Sequence, residues 1–352
     1  MRMRAMATHS WRELPGGAIA CALLFSTTFL LTIVSGKGVD VKAAGPPPNA
    51  LFVFGDSYLD TGNENKSKGF DRPWLTPYGK TYPGTPDGRF SDGRVFTDIF
   101  ASALQMPSPV PYEHRLSESG ASKRGMNFAV GGSGVFSPFG MLSLRGQVDQ
   151  FEAQKYSRDF LQSSVVLLGI HGNDYGAYIA KGNPLSELTA FQKTLVNEMA
   201  LQLERLNNLG LKTFYVDNLQ PVGCMPSSTQ PNFNACLELS NTIVSDPHNE
   251  LLAASVSDLK KRLPAATFIL LDHFAAINTI LQDPAKFGMS TGLLKPCCMG
   301  ACGDVDSQGQ PMFTVCEDPA KQLFWDAIHP SQAGWIAVTK FLFPDANLGP
   351  FS

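Results

Sequence analysis

Five short apolar runs limit most of what this chain can become. Leu51–Phe54, Met126–Val130, Val165–Ile170, Thr213–Val216 and Thr267–Leu271 are strand-length and largely apolar at odd and even positions alike. A strand with one wet face alternates apolar with polar residues. Runs without that alternation are buried on both faces, as in a parallel sheet covered by helices. The stretches between them carry helical spacing. In Val95–Leu104, Phe96, Ile99, Phe100, Ala103 and Leu104 share one face. Phe191–Leu209 and His248–Leu263 follow the same pattern, and Ser331–Phe341 is the last, with Ser331 placed as its N-cap after Pro330. The alternation predicts an α/β fold, a three-layer sandwich around a parallel sheet of about five strands, in a single domain over 51–345. In such a sheet the active site lies beyond the carboxyl ends of the strands.

The flanks and the cysteines bear on compartment. Arg2, Arg4 and Arg12 precede an uncharged stretch from Leu14 to Gly36, so residues 1–43 read as a cleaved secretory signal. The run is also long enough for an uncleaved anchor, the one route by which this chain would meet a membrane. Residues 44–50, with Pro46, Pro47 and Pro48, form a spacer, and 346–352 a tail without a retention signal. Cys21 lies in the leader. Cys224, Cys236, Cys297, Cys298, Cys302 and Cys316 remain, an even set that suits up to three disulfides, with Cys224–Cys236 the favoured pair because it flanks one loop. Cys-Cys-x3-Cys is poor zinc-ligand spacing, so no metal is expected. Asn65 opens a glycosylation triplet. A formal charge of −3 with no Lys/Arg run argues against a nucleic-acid partner.

Chemistry concentrates at the predicted strand ends. Gly55-Asp56-Ser57 follows the first run, with Gly55 expected to allow a sharp turn and Ser57 placed at the active edge. Taken alone the tripeptide is equally an ordinary turn. A serine nucleophile needs a base. Of His114, His171, His248, His273 and His329, only His329 has a carboxylate in a suggestive setting, Asp326 three residues before it. A tight turn there would bring carboxylate and imidazole together. Oxyanion donors are offered by Gly131 and Gly132 after the second run and by Asn173 after the third. Gly131–Gly134 lacks a nucleotide-binding register, and no G-x-S-x-G is present, which disfavours an α/β-hydrolase elbow.

Together, Val53–Asn63, Gly88–Asp98, Asn127–Phe136, Gly172–Tyr175, Gln220–Pro226 and Phe324–Trp335 resemble the blocks of the GDSL family of SGNH hydrolases, in particular its plant esterase/lipase branch. The resemblance implies a flavodoxin-like sheet of order 2-1-3-4-5. It also implies Ser57 as nucleophile, Asp326 and His329 as acid and base, and oxyanion donors on the Ser57 backbone, Gly132 in preference to Gly131, and Asn173. Two departures stand out: Tyr58 replaces the leucine of Gly-Asp-Ser-Leu, and His171 stands where many members have glycine. The implied activity is carboxylic ester hydrolysis through an acyl-enzyme, without cofactor. Its substrate would be an acetylated wall polysaccharide or, alternatively, an acyl lipid, met in the wall or the Golgi lumen. A silent secreted binding protein on the same scaffold is the reading from another class.

Overall fold

The computed structural model describes residues 48–64, 72–117 and 124–349, all within one unit, Gly38–Ser352. The leader, Asn65 and the last three residues of the tail lie outside the described residues. In chain order the principal elements are β1 (Leu51–Gly55), α1 (Phe96–Ala103), β2 (Val110–Pro111), β3 (Gly125–Asn127), α2 (Leu144–Glu152), α3 (Arg158–Gln162) and β4 (Val165–Gly169). There follow α4 (Asn173–Ala180), α5 (Leu188–Leu209), β5 (Thr213–Asp217), α6 (Pro226–Thr229), α7 (Glu238–Ser240), α8 (Asp246–Arg262), β6 (Thr267–Leu271) and α9 (His273–Gln282). A hairpin of β7 (Cys298–Val305) and β8 (Pro311–Val315) precedes α10 (Gln332–Leu342).

The sheet is parallel, with order β2-β3-β1-β4-β5-β6, and Leu51 of β1 sits opposite Gly125 on one side and Val165 on the other. It has six strands where about five were expected. The addition is the two-residue edge strand β2, too short to leave a periodic signal, with Pro111 tolerated because the edge needs no further donor. The other five stand in the expected 2-1-3-4-5 order. The second is shorter than its apolar run, although the Phe128 and Val130 amides still donate to Val53 and Gly55.

Both faces of the sheet are covered, which explains the missing alternation. Phe52, Phe54, Val166, Leu168, Phe214 and Val216 point into a core closed by Val148 and Phe151 of α2, Leu195 and Met199 of α5, and Leu252 of α8. Leu51, Val53, Leu167 and Tyr215 point the other way, against Phe96 and Ile99 of α1, Ile277 of α9, and Trp335 and Val338 of α10. The Ser331 hydroxyl caps α10 by accepting the Gly334 N–H at 2.9 Å.

The antiparallel β7–β8 hairpin stands outside the main sheet and was not foreseen. Its segment carries the disulfides Cys297–Cys316 and Cys298–Cys302, while Cys224 pairs with Cys236. The Cys297 and Cys298 amides donate to the carbonyls of Phe324 and Trp325 at 3.0 and 2.6 Å, tying the hairpin to the segment just before Asp326. Among the described residues, no helix is long and apolar enough to cross a membrane.

Candidate active site

Ser57 leaves the end of β1 at the carboxyl edge of the sheet. Gly55 is needed there for a reason other than the expected turn. A Cβ on it would lie 2.3 Å from the Gly169 carbonyl oxygen, so close approach of β4, not a left-handed backbone, excludes a side chain. Gln147 of α2 grips the same residue, its amide accepting the Gly55 N–H and donating to the Gly55 C=O, both at 2.8 Å. Asp56 then accepts the Tyr58 N–H at 3.1 Å and shapes the turn that carries Ser57.

The Ser57 hydroxyl lies 2.9 Å from His329 Nε2, and His329 Nδ1 lies 2.8 Å from Asp326 Oδ2. The tight turn is closed by Asp326 Oδ1, which accepts the N–H groups of Ile328 and His329 at 2.8 Å each. Tyr78 donates to Asp326 Oδ2 at 2.7 Å. Burial opposes charge on Asp326, but His329 and these backbone donors outweigh it and hold its pKa below the usual value. Burial and the neighbouring Asp326 push the Tyr78 phenol well up, so it stays a donor. With the carboxylate fixing the proton on Nδ1, Nε2 is left to accept from Ser57. Phe90 packs 4.9 Å from the imidazole, ring centre to ring centre. Tyr58, the first departure from the family block, donates its hydroxyl to the Ile328 carbonyl at 2.8 Å and so links the serine turn to the histidine turn.

The candidate oxyanion donors approach from two further strand ends. The Gly131 N–H is already spent on Asp60 Oδ2 at 2.8 Å. Gly132 has a positive φ of 76°, which favours glycine, and its N–H meets no acceptor among the described residues. Asn173 Nδ2 donates to the Ser133 carbonyl at 2.8 Å, leaving its second N–H uncommitted. Two aspartates without an assigned role in the sequence hold this arm. Asp60 gathers the N–H groups of Gly62, Asn63, Glu64 and Gly131. Asp174 accepts those of Val135 and Phe136 at 2.8 and 3.1 Å. Asp60 and Asp174 both lie inside the motif blocks; Tyr78 had no local signal.

His171 corrects the expectation that His329 alone has a carboxylate partner. Its Nδ1 lies 3.1 Å from Asp56 Oδ1 and its Nε2 3.4 Å from Asp217 Oδ2, while His273 Nε2 lies 3.5 Å from Asp217 Oδ1. These side chains are at most 1% exposed. Burial works against charge on His171, yet Asp56 and Asp217 together hold its pKa up at about 9. Burial pushes Asp217 up to about 6 and His273 well down.

A model of the GDSL-like lipase/acylhydrolase family matches residues 51–342, nearly the whole body. The chain belongs to the GDSL family. Two Arabidopsis thaliana relatives carry its name. GDSL esterase/lipase At3g09930 is 38% identical over 94% of this chain and 97% of its own length. GDSL esterase/lipase At5g03610 is 41% identical over 92% and 94%. As a GDSL member the chain is a carboxylic ester hydrolase, and the GDSL serine is the one that the structure sets against an imidazole.

Proposed function

We propose that this protein hydrolyses carboxylic esters with Ser57 as nucleophile, His329 as base and Asp326 as its orienting carboxylate. The observation that carries the reading is the unbroken run from the Ser57 hydroxyl through His329 to Asp326, at 2.9 and 2.8 Å. His329 takes the Ser57 proton as the hydroxyl attacks the ester carbonyl. The Ser57 and Gly132 N–H groups and the Asn173 amide receive the oxyanion. His329 then returns the proton to the leaving alkoxide, and water repeats the sequence on the acyl-enzyme.

For the substrate we favour acetyl esters of a carbohydrate met in the secretory pathway or the wall. A cleft of about 510 Å³ includes Val130, which immediately precedes the oxyanion glycines, together with Tyr112, Asn63, Glu113 and Gln150. Met141 and Leu142 line it as well, so the cleft is mixed, and the Tyr112 ring with its polar neighbours is the part that suits a sugar. The three disulfides fit an oxidising compartment. A lipid acyl ester is the second reading, favoured by Ile328, which is 44% exposed beside His329. Rates on acetyl, butyryl and decanoyl esters of one alcohol separate the two. A rise toward decanoyl, where each buried CH2 contributes about 0.8 kcal/mol, rejects the acetyl reading; a fall rejects the lipase.

A further inference from the structure

Four polar side chains stand in a row across the carboxyl ends of adjacent strands: Asp56 after β1, His171 after β4, Asp217 closing β5 and His273 after β6. The row runs inward from the serine turn, and the ester chemistry uses none of it. Its inner part poses a problem. His171 Nε2, both oxygens of Asp217 and both ring nitrogens of His273 are buried without a hydrogen-bond partner. Contacts of 3.4 and 3.5 Å bring nitrogen and oxygen near one another without hydrogen-bond alignment. Buried polar atoms left this way are costly, and His171 Nε2, the Asp217 carboxylate and His273 Nε2 lie close enough to be met by one common partner.

We propose that His171, Asp217 and His273 form a structural site for a divalent transition-metal ion of the zinc class. One ligand atom from each side chain lies within 4.8 Å of the others. Metal–ligand distances of about 2.0–2.1 Å in a tetrahedral site put neighbouring donors about 3.4 Å apart, which matches the two nitrogen–oxygen separations. Asp217 turns Oδ2 to His171 and Oδ1 to His273, so its carboxylate stands between the two imidazoles, and the three side chains supply three of four tetrahedral positions, the fourth left to a small ligand such as water. The two imidazole centres are 5.6 Å apart, so both rings flank the Asp217 carboxylate. His171 Nδ1 faces Asp56 at 3.1 Å, the carboxylate that a metal-bound histidine characteristically has on its other nitrogen. The ion would take the place of the Nε2 proton on His171, so that its two positive charges face the carboxylates of Asp217 and Asp56. Space is kept by Gly169, where a Cβ would come within 2.3 Å of Asp217 Oδ2 and 2.5 Å of the His171 ring. The ion would brace three strand ends behind the active edge. Being sealed, it would be taken up during folding and leave only on unfolding.

The test is the metal content of the full chain produced in zinc-supplemented medium and passed through chelator while folded. The expected result is about one zinc per chain, released by the chelator only after denaturation. Asp217→Asn and His273→Gln should each lower retained zinc about tenfold or more, whereas His329→Ala should keep it, since the triad lies outside the site. Protein produced with cobalt supplies a readout independent of variants, the intense visible bands of a tetrahedral nitrogen–oxygen site. Folded parent protein that retains less than about a tenth of an ion per chain, or zinc kept in Asp217→Asn but lost in His329→Ala, overturns the proposal. Neither result touches the ester-hydrolase reading.

Discussion

Two histidine–aspartate pairs lie close together in this molecule, and they are built in opposite ways. His329 and Asp326 sit on a short turn, 11% exposed, with each imidazole nitrogen and both carboxylate oxygens engaged. His171 and Asp217 come from different strands, are sealed from water, and leave His171 Nε2 and both Asp217 oxygens without hydrogen bonds. Residue type therefore does not separate the pair proposed for proton transfer from the pair proposed to be structural. What separates them is a reachable nitrogen with a hydroxyl in front of it. His329 has Ser57 at 2.9 Å; His171 has the ring of Tyr58 stacked on it at 4.5 Å.

The comparison breaks most decisively at the serine. Ser57→Ala should cost on the order of 10³-fold or more in turnover while leaving the folded state intact, because the hydroxyl is needed for chemistry and not for packing. Rates within tenfold of the parent, measured with circular dichroism unchanged, would move catalysis away from the exposed pair. A smaller loss is expected at the oxyanion arm. Asn173→Ala should lower kcat by about 2.7–4 kcal/mol of transition-state stabilisation, on the order of 10²–10³-fold, with little change in KM. A change confined to KM removes Asn173 from that role. The smallest effect is graded and sharpens the contrast in exposure. Asp326 is held below the usual carboxylate value, so its contribution to stability is present above an unfolded pKa of about 3.9 and is lost only as pH falls through the lower folded value. The check is the difference in unfolding stability between the parent and Asp326→Asn as pH is lowered; a difference that does not shrink below about pH 3.9 contradicts a carboxylate held ionised by its partners.

The two regions also differed in how readable they were. Ser57 stood at the end of an apolar run, and Asp326 and His329 are three residues apart, so local sequence could nominate them, and the resemblance of the surrounding blocks joined them into one set. The five main strands were visible for a related reason: burial on both faces abolished their alternation. The inner row left no such trace. His171, Asp217 and His273 belong to three separate strand ends; His171 stood out only as a departure from its family block, and only the strand order β1-β4-β5-β6 sets the three side by side. Asp60 and Asp174 went unassigned because their partners are backbone N–H groups, which every residue has. The β7–β8 hairpin escaped because β7 carries cysteines and glycines in place of an apolar period and β8 is only five residues long.

That hairpin changes how the mechanics of the proposed triad should be pictured. Ser57 and His329 are 272 residues apart in the chain, and each borrows its stiffness from a different support. The serine is mounted on a plate, the sheet, through Gly55 and its grip by Gln147. The histidine is mounted on a bracket, the doubly cross-linked hairpin whose Cys297 and Cys298 amides hold Phe324 and Trp325. The Tyr58 hydroxyl on the Ile328 carbonyl is a pin between them. The pair proposed to react thus sits at a joint, where small errors in either mounting add directly into the distance between Ser57 and His329.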